Sequence, residues 1–133
     1  VRIKKDGTPY QHRAKAPADR SDPVHAKRIL EVYGITGEEY NAILEAQGGC
    51  CYICLQPPRS KRLAVDHDHE IERHRLAEGK TAQEAARASV RGLLCRRCNH
   101  RLLGSAHDAT EILKRAIEYL EFPPAWRVIA EGV

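Results

Sequence analysis

Cys51-Tyr52-Ile53-Cys54 and Cys95-Arg96-Arg97-Cys98-Asn99 enclose the segment Leu63-Ala64-Val65-Asp66-His67-Asp68-His69, and the architecture follows from that arrangement. A Cys-x-x-Cys pair delivers two thiolates from one tight turn, and two such pairs complete a tetrahedral Zn²⁺ site. Four thiolates close the metal to solvent, so Cys51, Cys54, Cys95 and Cys98 suit a structural role better than a catalytic one. A redox dithiol, or cysteines that are merely buried, are the competing readings. Cys50 could replace Cys51 only by widening the turn, and is expected to be a spare buried thiol.

The acids and histidines between the two pairs have a different chemistry. Residues 62–67 have strand character, and Val90–Leu94 reads as the antiparallel partner. If the first strand continues, Asp66 and Asp68 share one face while His67 and His69 share the other. A solvated polar turn is the plain alternative. Zinc held by Cys98 would bring the next residue, Asn99, close to this strand. A carboxylate and an amide oxygen are hard donors that suit Mg²⁺ or Mn²⁺ with several waters retained. With an imidazole alongside, these are the parts of one-metal phosphodiester hydrolysis. The cation would sit on Asp66 and Asn99, polarising the phosphate and stabilising the leaving oxygen, while His67 takes a proton from the attacking water.

Composition fits a small domain that leans on a metal. The 133 residues include one Trp, one Phe and no Met, so large apolar side chains are scarce and a zinc staple is expected. The formal charge is +4, with 15 Arg against 7 Lys, and it is unevenly spread. Residues 1–30 carry eight bases and three acids, and residues 51–105 carry eleven bases and six acids. Residues 31–50 and 106–133 are net acidic. The cysteine region and the N-terminal arm are therefore the faces expected to meet a polyanion, against the bland reading of a solvated basic surface. No stretch is apolar and long enough to span a membrane, and no signal-peptide pattern is present. Five cysteines in this pattern do not resemble a secreted disulfide framework, so a cytoplasmic setting is expected. The chain opens with Val1, as a GTG start codon translated literally or a truncated sequence would give.

Residues 1–21 show no apolar period and read as a flexible basic arm. Asp22-Pro23 then supplies an N-cap followed by proline, and Gly34 a stop, for a helix burying Val24, Ile29, Leu30 and Tyr33. Thr36-x-x-Glu39 is a capping box that opens a second helix, with Tyr40, Ile43, Leu44 and Gln47 at helical spacing and Gly48-Gly49 at its end. Residues 70–89 form a polar insert with a helical signal at Thr81-x-x-Glu84. A helix should start near Cys95, pass through Asn99 and stop at Gly104. Asp108-x-x-Glu111 should cap a last helix whose Ile112, Leu113, Ala116, Ile117 and Leu120 form an amphipathic stripe. Pro123-Pro124 should end it, with Trp126 folded back onto the core. Arg96, Arg97 and Arg101 lie on the Asn99 helix and are candidate phosphate contacts.

The quoted segments carry a resemblance. Cys51–Cys54, Leu63–His69 and Val90–Asn99 together resemble the phage recombination endonuclease VII family, one of the His-Me finger (HNH-like, ββα-metal) nucleases. The lead-in Tyr33-Gly34-Ile35-Thr36-Gly37-Glu38-Glu39-Tyr40 is similar to the helix that often precedes the knuckle there, so the likeness covers about residues 33–104. It implies an α+β fold: a small His-Me finger core on a zinc-bound treble-clef scaffold, flanked by helices. The domain would run over 22–133, with its core at 50–104, helical flanks at 22–49 and 105–122 and the insert at 70–89. Zn²⁺ would sit on Cys51, Cys54, Cys95 and Cys98, and catalytic Mg²⁺ on Asp66 and Asn99. His67 would be the general base, His69 would position phosphate or support the metal, and Arg91 would contact phosphate. The implied partner is DNA, branched or otherwise distorted, cut by a phage-encoded enzyme in the host cytoplasm, as monomer or homodimer. Ala64 and Leu102 depart from the pattern, standing where the junction-resolving member has a histidine and an acid. Two alternatives stand beside this reading. One is a nicking or homing-type HNH endonuclease. The other is a non-catalytic zinc-finger DNA-binding module, which gives no role to Asp66, His67 or Asn99.

Overall fold

The computed structural model describes residues 22–59 and 61–132. The expected arm at 1–21 lies outside the described residues. Helix α1 spans Pro23–Tyr33 and α2 spans Gly37–Ala46. The Asp22 carboxylate accepts from the Val24 and His25 amides at 3.1 Å, with proline in the first turn, as the sequence predicts. The Thr36 hydroxyl accepts from the Glu39 amide and the Glu39 carboxylate accepts from the Thr36 amide, both at 3.1 Å, so the capping box closes both ways.

Of the four residues expected to form the buried stripe of α1, only Ile29 is buried and Tyr33 partly so; Val24 and Leu30 are exposed. Gly34 ends α1 at φ 69°, where a Cβ would lie 2.5 Å from the Gln83 carbonyl oxygen. Both the left-handed backbone and the close approach of another helix require glycine there.

That other helix belongs to the insert. Residues 70–89 form a helical hairpin rather than a loop with one helix: α3 spans His69–Ala77 and α4 spans Ala82–Ser89. Thr81 caps α4 as expected, accepting from the Glu84 amide at 3.1 Å. Ala85, Ala86 and Ser89 are buried. The Arg87 guanidinium donates to both Glu39 carboxylate oxygens, at 2.8 and 2.6 Å, and to the Gly34 carbonyl at 2.9 Å. Gln83 donates to the Leu30 carbonyl at 2.8 Å. Side chains of α4 thus satisfy carbonyls at the end of α1, which ties the insert to the helical lead-in.

Strand β1 spans Ala64–His67 and pairs antiparallel with β2, Val90–Leu94. The strand begins two residues later than expected. Arg62 is held by Asp22 at 2.6 Å, and the Leu63 carbonyl accepts from the Tyr40 hydroxyl at 2.6 Å, so residues 62–63 are tied to the helices instead. Burial pushes that phenol up to about 12. Pairing runs Ala64 to Leu94, Val65 to Leu93, Asp66 to Gly92 and then His67 to Val90, leaving Arg91 as an extra residue in β2. Gln47 serves β2 as a substitute neighbour: its amide nitrogen donates to the Leu93 carbonyl and its amide oxygen accepts from the Leu93 amide, both at 2.8 Å. Gly92 allows this approach, because a Cβ there would sit 3.0 Å from that amide oxygen. The core is Ile29, Ile35, Tyr40, Cys51, Leu63, Val65, Leu93, Leu94 and Cys98, so two of the clustered cysteines are part of it.

The C-terminal third departs from expectation in several ways. Arg97–Leu103 is a π-helical turn, and Gly104 does not stop it but continues in right-handed helical conformation at φ −61°. The chain reverses at His107 and Asp108, with φ of 52° and 57°. Asp108 does not cap α5, Thr110–Glu121, because its carboxylate is turned to Arg91, at 3.3 Å. The stripe on α5 is not packed: Ile117 and Leu120 are exposed, and no residue of α5 is buried. Pro123-Pro124 does end α5, but a further helix, α6, follows at Pro124–Glu131 and carries Trp126 outward at 70% exposure. Among the described residues no helix is long and apolar enough to cross a membrane.

Candidate functional site

The four cysteines of the paired motif converge. Cys51 ends the approach from α2; Cys54 follows a turn in which the Leu55 amide donates to the Cys51 carbonyl at 3.0 Å. Leu55 takes φ 61° there. Cys95 follows β2, and the Cys98 amide donates to the Cys95 sulfur at 3.4 Å. Tetrahedral zinc with Zn–S of about 2.3 Å puts neighbouring sulfurs about 3.8 Å apart. Cys54 and Cys95 sulfurs are 3.7 Å apart, and all four lie within 4.8 Å of one another. A disulfide would require about 2.05 Å. Four convergent soft donors, half of them buried, fit a structural zinc ion.

Without a cation the sulfurs do not share one protonation preference. Burial pushes the Cys54 and Cys98 thiols up, with crowding by the neighbouring sulfurs adding to it. At Cys95 burial acts in the same direction, but hydrogen bonds from the Cys98 amide and from surrounding thiols outweigh it and bring the group to about 7. Cys50 is buried and stands outside the group, as expected.

Beside this cluster, β1 delivers the predicted acid and histidine. Asp66 is 6% exposed, and both its oxygens accept from Arg91, at 2.8 Å from Nε and 3.1 Å from a terminal nitrogen. The extra residue in β2 is what places Arg91 there. Arg91, an exposed residue, is engaged by both Asp66 and Asp108. Its guanidinium is pushed further up, first by the Asp66 hydrogen bonds.

The strand does not continue past His67, so the expected alternation with Asp68 and His69 ends there. Asp68 instead caps α3, accepting from the Glu70 amide at 2.9 Å and the Ile71 amide at 3.3 Å. These amides hold its carboxyl below the usual range. The turn into α3 brings the His67 and His69 rings to 4.4 Å and puts Glu72 Oε2 3.7 Å from His67 Nε2. Tyr33 covers His67 at 5.6 Å between ring centres. His67, His69 and Glu72 offer ligand atoms within 4.8 Å of one another, a second metal-competent group that does not include Asp66. Glu72 was not legible as a site residue, since it lies in the insert. The signal was its place one turn into a helix that Asp68 caps.

Asn99 lies half-buried in the π-helical turn, its amide donating to the Cys95 carbonyl at 2.9 Å. Such turns recur at functional sites. Arg96, Arg97 and Arg101 on the same segment are exposed.

Residues 26–122 match the family described as recombination endonuclease VII. The chain is 46% identical over 123 residues to the Gene 59 protein of Mycobacterium phage D29, covering 92% of this chain and 65% of that protein. It is 43% identical over 140 residues to the Gene 59 protein of Mycobacterium phage L5, covering 96% of this chain and 76% of that one. No solved structure matches. With the four-cysteine cluster and the paired strands in place, the family match over residues 26–122 is decisive: the chain belongs to the recombination endonuclease VII family.

Proposed function

We propose that this chain is a metal-dependent DNA endonuclease acting on branched or distorted DNA, with a His-Me finger core on a treble-clef zinc scaffold. The observation that carries the reading is the setting of His67. It ends a strand anchored next to the cysteine cluster, beside a carboxylate at 3.7 Å, in a chain of this family. With Nε2 turned to Glu72, Nδ1 is the atom left to take a proton from water attacking phosphorus. A P–O bond forms to that water, the P–O bond to the leaving sugar oxygen breaks, solvent water protonates the departing oxygen, and the imidazolium returns its proton to solvent. The neighbouring Glu72 carboxylate stabilises the imidazolium formed.

Asp66 and Asn99 offer oxygen donors whose chemistry fits Mg²⁺ or Mn²⁺. When bound, such a cation supplies charge that polarises the phosphate and eases departure of the leaving oxygen. Arg91 then has two competing anions, Asp66 and the incoming phosphate. A phosphate that draws Arg91 away frees the Asp66 oxygens and restores the phosphate-contact role expected for Arg91. His69 flanks the same space and positions the phosphate; Arg96, Arg97 and Arg101 contact the backbone.

Supercoiled plasmid, incubated with Mg²⁺ or without added divalent cation, tests this. Wild type is expected to nick only with the metal, and His67→Ala is expected to retain binding while cutting about 10²- to 10⁴-fold more slowly. Equal cutting by both proteins would overturn the role of His67. Intact plasmid with wild type, with binding and zinc retained, would favour a non-catalytic zinc-finger module.

A further inference from the structure

A cleft of about 770 Å³ opens between α1, the Cys51–Cys54 turn and the start of the π-helical segment. Arg28, Arg59, Arg96 and Arg97 line it, all exposed, and none of the four guanidinium groups has a hydrogen bond or ion pair among the described residues. No carboxylate lines it; Cys54 and Cys95 of the zinc cluster form part of its wall and offset some of this charge when the metal is bound. Arg62 is also on its wall but is engaged by Asp22. Four like charges facing one concavity repel each other, and a polyanion relieves that repulsion.

The rest of the lining narrows the class of polyanion. Of its apolar lining, Tyr33, Pro57 and Pro58 are half-buried and reach the surface, while Ile29 and Val65 behind them belong to the core. A duplex presents phosphates outside and hides the faces of its bases, so it would meet the arginines and leave these apolar walls uncovered. An unpaired strand offers both phosphates and base faces, the combination that basic grooves with aromatic and apolar platforms take. The volume falls within the ~300–1,000 Å³ of clefts that enclose small organic groups. Tyr33 also joins the cleft to the proposed catalytic histidine, since its ring covers His67.

We propose that this cleft binds an unpaired nucleic-acid strand, which deepens the endonuclease reading above and rests on it for the nature of the polyanion. A flap or a fork with an unpaired arm supplies such a strand next to a duplex. The cleft would then hold that unpaired arm while His67 faces the scissile phosphate. Arg28 and Arg59, on α1 and after Pro57-Pro58, become strand contacts outside the segments that carry the family resemblance.

The test is fluorescence anisotropy with the full chain, no divalent cation added, and two probes: a labelled oligothymidylate and a duplex of equal length. Arg28→Ala/Arg59→Ala is compared with Lys114→Ala/Arg115→Ala, an equal change of charge on exposed α5. The cleft variant is expected to bind the oligothymidylate about tenfold or more weakly, with its salt slope reduced by about 1.4, two phosphates at ~0.7 each. The α5 variant and duplex binding are expected to change by less than about threefold. Unchanged oligothymidylate binding by the cleft variant overturns the proposal. Equal weakening by the α5 variant, or equal weakening of duplex binding, overturns it too. Because cleavage is not read, these outcomes are independent of whether the chain cuts DNA.

Discussion

Arg91 holds both carboxylate oxygens of Asp66 from the one position in β2 that has no partner in β1. A regular strand would turn the residue after Val90 to the opposite face; the extra residue bends β2 and re-aims the guanidinium. Asp66 is thereby buried with its charge matched, at 8% side-chain exposure against 33% for Arg91.

Removing Arg91 leaves that buried carboxylate without its two-pronged partner. Arg91→Ala is expected to lower unfolding stability by about 2 kcal/mol, allowing for the partial exposure of the arginine. Arg91→Lys should recover only part of this, because an ammonium cannot reproduce the two-pronged contact. Urea unfolding checks both; an Arg91→Ala protein as stable as wild type would contradict the pairing.

Metal removal should be more severe. Structural zinc contributes about 10–16 kcal/mol in small domains, comparable with or above the usual 5–15 kcal/mol of net stability. Cys95→Ser, or chelation of wild type, is expected to abolish zinc content and cooperative thermal unfolding together. Cys50→Ser should keep a full equivalent of zinc. Metal analysis and circular dichroism on the same samples decide this, and zinc loss from Cys50→Ser would contradict the assignment of Cys51.

The insert is held to the lead-in helices by Glu39 and Arg87. The Arg87 hydrogen bonds, with the Thr36 amide, lower the Glu39 carboxyl from 4.5 to about 2. A depressed carboxylate stabilises the fold above its unfolded value and loses that contribution as pH falls from about 4.5 through 2. The coupling in a Glu39→Gln/Arg87→Met double-mutant cycle is therefore expected to stay constant from pH 7 to pH 5 and shrink only below that. A coupling that changes between pH 7 and pH 5 would contradict this contact as its source.

Glu72 reaches His67 only because the insert begins with α3. Glu72→Gln is expected to slow turnover about tenfold with little change in KM, a small share of the ~10²–10⁴ that acid–base groups contribute. Glu72→Asp should fall between. Steady-state cleavage kinetics test the split; a change confined to KM would make Glu72 a binding group instead.

The sequence was most readable where a local signal has one physical solution. Asp22, Thr36 and Thr81 cap helices as their spacing implies, and paired cysteines converge because each turn can point two sulfurs one way. Helix α3 was hidden because His69–Ala77 is mostly polar and buries nothing, so no apolar period marks it. The Asp66–Arg91 contact depends on one extra strand residue, which alternation cannot reveal. The stripe of α5 misled in the opposite sense: its period predicted the helix correctly, but amphipathicity alone does not supply a surface to cover it. At the candidate site, pattern singles out Asp66 and His67, whereas the approach of Glu72 to His67 depends on the fold of the insert.

The central claim is that His67 makes this chain a DNA-cutting enzyme with a preference for branch points. Its most direct test is cleavage of a labelled four-way junction, a linear duplex and a single strand by wild type and His67→Ala, with and without Mg²⁺. Wild type is expected to cut only with the metal, most strongly on the junction, and His67→Ala to lose cutting with junction binding intact. Undiminished cutting by His67→Ala, or no cutting of any substrate by zinc-loaded wild type that still binds DNA, would contradict it.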